Sequence, residues 1–184
     1  MPKAYLFLKD GFEEIEALTP VDFLRRADAE IVMVSATEDL TVTGAHGIGV
    51  VCDRLLEDPA AFEDADMIIL PGGQPGTDRL LGDERILSLV RSYHAADKYV
   101  AAICAAPMVL GKAGILEGKK ATCYPGCEGG LRGAQYTRKE VETDGKIITA
   151  HGPGGAMAFA SALIAALCGQ RVAKRVAEAT LYML

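Results

Sequence analysis

Cys104 lies in the stretch VAAICAAPMVLGKAG, Val100 to Gly114. The apolar residues before it read as the end of a buried strand, and a helix begins directly behind it. A thiol at such a corner projects free of its neighbours while the following helix presents unpaired backbone N–H groups to it. The helix dipole favours the thiolate, so the thiol pKa is expected below its usual value of about 8.5. Ala105 and Ala106 leave space beside the sulfur, and Pro107 suits an early helical position, where its missing N–H costs nothing. An isolated cysteine is more often a small buried hydrophobe. The corner position reverses that preference.

Two further corners supply partners for a thiolate. Gly72-Gly73 follows the apolar run DMIILP, and glycine permits positive φ and close backbone approach, so an N–H there can face an anionic oxygen. A lone Gly-Gly pair would be read as a plain turn, but next to a thiolate it makes the oxyanion pocket that addition to a carbonyl requires. Glu16 follows the first strand. Glu13 and Glu14 read as ordinary complements of a helix dipole. Glu16 lies four residues before Pro20, which cannot donate to its carbonyl and is expected to kink the helix. A carboxyl packed against a thiolate has its pKa raised by desolvation and like charge. In its protonated form it can donate a hydrogen bond to sulfur and shuttle a proton.

The elements that bring these corners together alternate between strand and helix. KAYLFL, EIVMVSA, DMIILPGG and YVAAIC read as strands, the last two as uninterrupted apolar runs covered on both faces. Helical periodicity appears over Glu13–Ala27, GDERILSLVRSYHAAD, GPGGAMAFASALIAALCG with Gly169 as its stop, and QRVAKRVAEATLYM. Leu40–Asp53 reads as a β-ribbon, Pro59–Asp64 as a short helix, and Cys127–Gly133 as a short helix or loop. KKATCYPG and VETDGKIITA read as strands, the latter turning at Asp144-Gly145. This pattern predicts one α/β domain over residues 1–184, a doubly wound, mostly parallel sheet with helices on both faces. Ligands of such sheets sit beyond the carboxyl ends of the strands, where all three corners would lie.

Composition narrows the function. Half of the 184 residues are hydrophobic, 24% are charged, and the net charge is −6. That net charge argues against a basic face able to displace counterions, and no basic stretch stands out, so direct nucleic-acid binding is not expected. The N-terminal apolar run is too short for a signal or membrane segment, and the apolar stretch near the C-terminus is also shorter than a span. Five cysteines without framework spacing suggest reduced thiols and a cytoplasmic setting. Three histidines and a single Cys123-x-x-x-Cys127 spacing give no expectation of a metal. Neither a G-x-G-x-x-G nor a phosphate-loop motif occurs, so no cofactor is expected. His94 reads as a solvated dipole partner at a helix end, and neither His46 nor His151 is expected to act as a base.

The segments GFEEIEALTPVDFLRR, ILPGG, AAICAAP and ITAHGPGGAMAFA, in this order, resemble the ThiJ/PfpI family, in its parkinsonism-associated deglycase (DJ-one) branch, over nearly the whole chain. The resemblance implies a flavodoxin-like, class I glutamine amidotransferase-like fold, a homodimer, and Cys104 as a nucleophile on its elbow with Glu16 as protonated partner. It implies an anion pocket from the Gly73 and Ala105 amides, with Gly72 and Tyr124 lining the site and Arg26 and His46 near the pocket or the dimer interface. Departures bear on the chemistry. Tyr124 stands where some members have histidine, and Ala105 stands where protease-like members have one. Ala150-His151-Gly152-Pro153-Gly154 replaces the family's Ser-Arg-Gly-Pro-Gly. A Cys-His dyad, and with it peptidase activity, is therefore not expected.

The implied activity is cofactor-free conversion of 2-oxoaldehydes such as methylglyoxal to 2-hydroxy acids (a glutathione-independent glyoxalase). It includes, together or instead, deglycation of methylglyoxal- or glyoxal-modified protein and nucleotide adducts. The alternative is a redox-sensing stress protein or chaperone in which Cys104 is oxidised. An amidotransferase-like hydrolase is disfavoured by the missing histidine and by the absence of glycines flanking Cys104.

Overall fold

The computed structural model describes residues 1–182. A seven-stranded sheet forms its centre, built from β1 (Lys3–Leu8), β2 (Glu30–Ser35), β5 (Arg54–Leu55), β6 (Met67–Leu70), β7 (Tyr99–Ile103), β10 (Val141–Asp144) and β11 (Ile147–Ala150). Their order is β10-β11-β7-β6-β1-β2-β5. All pairings are parallel except that of β10 with β11, a hairpin turning at the expected Asp144-Gly145. The ribbon β3 (Thr41–Thr43) with β4 (Gly49–Val51) stands apart from this sheet.

The continuous apolar runs are explained by burial on both faces. Along β1, Ala4, Leu6 and Leu8 point to one core layer, and Tyr5 and Phe7 to the other. The first layer is closed by α1 (Glu14–Arg26) and α5 (Ala156–Cys168), with Ala173 and Val176 of α6 (Gln170–Ala179). The second is closed by α3 (Glu84–Ala95) and α4 (Pro107–Ala113), with Leu80 of α2 (Gly76–Leu81). Burying a side chain such as Leu24 or Val90 in these layers stabilises the fold by roughly 1.5–3 kcal/mol each.

The order in which strands are laid down reverses between β1 and β6: β2 lies on one side of β1, whereas β6, β7 and β11 follow on the other. The loops leaving β1 and β6 therefore enter helices on opposite faces, and a crevice opens between them. It is stitched across by Glu13 N donating to Gly72 O at 2.9 Å and Gly76 N donating to Gly11 O at 3.2 Å. β7 is the next strand along, which puts Cys104 beside this crevice.

Some expectations need correction. The strand expected in KKATCYPG shrinks to β8 (Lys120–Ala121), paired with β9 (Gln135–Tyr136) in a separate two-stranded sheet. The main sheet takes the β10–β11 hairpin at that edge instead. The edge strand β5 and helix α2 were not anticipated. α1 continues as helix through Pro20. α6 ends at Ala179 with Thr180 as its cap, and the last residue of the helix expected there, Met183, lies outside the described residues. Among the described residues no helix is long and apolar enough to cross a membrane.

Candidate active site

The backbone at Cys104 is held in a conformation that L-residues rarely adopt. Its φ is +64°, a left-handed geometry costing about 1–2 kcal/mol for a non-glycine residue. Such strain persists only where the surroundings over-determine it, and here both backbone groups of Cys104 are fixed. Its N–H donates to Ala150 O at the end of β11 (2.9 Å), and its carbonyl accepts from Tyr124 N (2.8 Å). The corner thus presents a half-buried sulfur at the carboxyl edge of the sheet.

Three of the expected partners converge on that sulfur. The amides of Gly73 and Ala105 face it, and the Glu16 carboxyl lies against it. Glu16 is fully buried. Its Oε2 accepts from Gly72 N at 2.8 Å, while Oε1 has no hydrogen-bond partner among the described residues. Gly73 has φ +91°, and a Cβ there would fall 2.6 Å from Gly11 O. Only glycine allows this close approach, and the approach is what turns its N–H toward the thiol.

Electrostatics corrects one expectation. The thiol pKa is not lowered by the following helix. Burial, and then the charge and hydrogen bond of Glu16, push it up to about 12, against the opposing pull of the Ala105 and Gly73 amides. α4 is short, begins only at Pro107, and cannot outweigh a carboxylate in contact with the sulfur. Glu16 moves in the same direction. Burial raises it to about 7, with the Glu13 charge adding to the rise and the bonds from Cys104 and Gly72 opposing it. Carboxyl and thiol thus share one proton. The thiolate forms when that proton resides on Glu16.

The remaining expected residues divide. Tyr124 adjoins the site through its backbone bond to Cys104, and its half-exposed ring borders a cavity of about 230 Å³ with Pro125, His151, Gly152, Pro153 and Gly154. His46 sits on the ribbon at the rim. Its Nδ1 is 2.8 Å from Glu14 Oε2 and 3.4 Å from Glu13 Oε2, and the Glu14 bond, then the two charges, raises its pKa. Arg26 is not in this chain's pocket. It occupies the last turn of α1, roughly 15 Å along the helix from Glu16, and pairs with Asp22 at 2.6 Å.

Sequence reasoning overlooked Glu14. Its buried carboxylate accepts from His46 N at 2.8 Å and bonds the His46 ring, so it latches the ribbon onto the start of α1. Among the described residues, Glu13, Glu14 and His46 are also the one group with three potential metal-ligand atoms within 4.8 Å of one another. Both Glu14 oxygens are already engaged by the ribbon.

Residues 2–166 match the model of the DJ-1/PfpI family. The chain is 38% identical to protein DJ-1 homolog B of Arabidopsis thaliana over 95% of its own length, but spans only 40% of that relative. It is 32% identical to Deglycase PH1704 of Pyrococcus horikoshii, over 85% of this chain and 94% of the relative. Among solved structures, oxidised Toxoplasma gondii DJ-1 superposes with a TM-score of 0.93 at 34% identity, covering 100% of both chains.

Proposed function

The chain belongs to the DJ-1/PfpI family, and from that premise we propose that it is a cofactor-free, cysteine-dependent enzyme acting on 2-oxoaldehydes and their adducts. The observation that carries this is the buried Glu16 carboxyl against the Cys104 thiol, with the Gly73 and Ala105 amides facing the sulfur. The similarity to a protein named a deglycase supports the substrate class.

In this reading the Cys104 proton passes to Glu16 as sulfur attacks the aldehyde carbon of methylglyoxal. The new C–S bond leaves an alkoxide, which the Gly73 and Ala105 N–H groups stabilise and which Glu16 protonates to a hemithioacetal. Glu16 then removes the proton from that carbon, and the neighbouring carbonyl carbon gains one, giving a lactoyl thioester. Water cleaves the thioester, releases lactate and restores the thiol. The sum is one methylglyoxal plus one water to one lactate, with no external oxidant or reductant. A hemithioacetal or aminocarbinol adduct would enter the same sequence with its amino acid or nucleotide as leaving group.

The test is lactate formation from methylglyoxal without glutathione, by the wild-type chain and by Cys104→Ser. Sustained turnover abolished in the variant supports the enzyme. Consumption of a single equivalent of aldehyde without lactate overturns it. The second reading, a redox-sensing stress protein or chaperone with an oxidisable Cys104, draws on the relative whose structure is of an oxidised form. In either reading we place the protein in a reducing cytoplasm, because its five cysteines are all free, and as a homodimer.

A further inference from the structure

A second, charged groove adjoins the cysteine site. It has a volume of about 350 Å³ and is lined by Cys123, Pro125, Glu128, Tyr136, Arg138 and His151. Its link to the elbow is direct: Ala150, which accepts from Cys104 N, precedes His151, and Tyr124, which donates to Cys104 O, follows Cys123. Ala150 pairs with Ile103 in the β11–β7 register, so His151 on the groove wall follows β11 opposite Cys104, one strand spacing, about 4.8 Å, from the Cys104 backbone.

Two opposite charges face this groove without closing on each other. Arg138 has φ +58°, an unfavourable backbone for arginine. Among the described residues its guanidinium makes neither a hydrogen bond nor an ion pair, and stands 5.9 Å from the Tyr136 ring centroid. Glu128 Oε2 accepts from Gly126 N at 2.6 Å, which holds the carboxylate on the groove wall. The Arg138 charge also acts on Glu128, after its backbone bonds. A fixed carboxylate and an uncommitted guanidinium in one small groove complement a zwitterion.

We infer that this groove is a recognition subsite for an α-amino acid moiety, with Arg138 taking the α-carboxylate and Glu128 the α-ammonium. A planar guanidinium suits a carboxylate because it can donate two parallel hydrogen bonds. Resting on the proposed activity, the subsite makes side-chain adducts of free amino acids the favoured substrates. The free group carries the molecule's charges, and the adduct carbonyl extends to Cys104.

Binding to Cys104→Ser, which cannot turn a ligand over, tests this with two stable probes, Nε-lactoyl-lysine and its α-carboxamide. Titration calorimetry should show the carboxylate probe binding roughly tenfold or more tighter, the range for a charge-assisted hydrogen bond. Adding Arg138→Gln should abolish the difference. Equal binding of the probes, no binding of either, or a preference that survives Arg138→Gln overturns the subsite. Failure of the enzymatic reading appears separately, as absence of lactate from the wild-type chain with methylglyoxal. That result leaves the binding comparison decisive for the groove.

Discussion

Glu16 and Cys104 meet across the Cα of Gly72. The Gly72 amide donates to Glu16 Oε2 at 2.8 Å, and a Cβ on Gly72 would fall 2.7 Å from that oxygen, 2.7 Å from Cys104 Cβ and 3.1 Å from Sγ. The carboxyl and thiol touch because this residue has no side chain. Gly72→Ala should therefore separate them, at about 1–3 kcal/mol of stability for overpacking and roughly 100-fold of turnover for the misplaced proton shuttle. A soluble Gly72→Ala protein with wild-type lactate formation would show that the contact is unnecessary.

Glu16 also ties stability to pH. Its folded pKa is raised from 4.5 to about 7, so the folded state binds the proton more tightly than the unfolded one. The stabilisation is complete below pH 4.5 and is lost as pH rises through 7. At about 1.4 kcal/mol per unit, the loss comes to about 3 kcal/mol. Glu16→Gln cannot ionise, so it should gain stability relative to wild type between pH 4.5 and 7. Urea unfolding of both proteins across that window measures the difference. Parallel curves would mean that Glu16 stays charged in the fold.

The sheet was legible because its strands are buried on both faces, and Met67–Leu70 and Val100–Ile103 therefore carry no polar residue to obscure them. The three corners were legible for the same reason: parallel strands end on a common edge. What the sequence hides depends on tertiary company. α2 begins at Gly76 without a side-chain cap, and β8 and β9 are two-residue pairings that local propensity cannot register. The rise in the thiol's pKa is hidden because a helix following a cysteine is visible in sequence, whereas the burial that outweighs it is not. Glu14 looked like a dipole complement because its partner, His46, is thirty-two residues away.

The Glu14 latch predicts local dynamics. Burial alone would raise Glu14, but the His46 ring and the ribbon amides outweigh it, and its pKa lies below the usual value. The latch is thus present above the ordinary glutamate range and is lost as pH falls through that lowered pKa. Glu14→Ala should accelerate hydrogen exchange at the His46 amide roughly 10- to 100-fold, the range for one charge-assisted bond. The fully buried β1 amides should not change. Unaltered exchange at His46 would show that the backbone bonds of Gly11 and Ala45 to Thr43 and Phe12 hold the ribbon unaided.

The same ribbon carries part of the surface proposed to bury itself in a second copy. Ile15 on α1 is 54% exposed, Ile48 and Val51 on the ribbon 54% and 66%, and Met157 at the start of α5 46%. These elements adjoin one another: the ribbon is latched to α1 through Glu14, and α1 and α5 close the same core layer. Scattered exposed apolar residues need no explanation, but four on neighbouring elements suit a two-fold interface. Replacing Ile15 and Val51 together with glutamate would place like charges opposite one another across such an axis. Sedimentation velocity at micromolar concentration should then show a dimer for wild type and a monomer for the double variant, with circular dichroism unchanged. A wild-type monomer at tens of micromolar would end the dimer proposal, and the apolar face would then need a different partner.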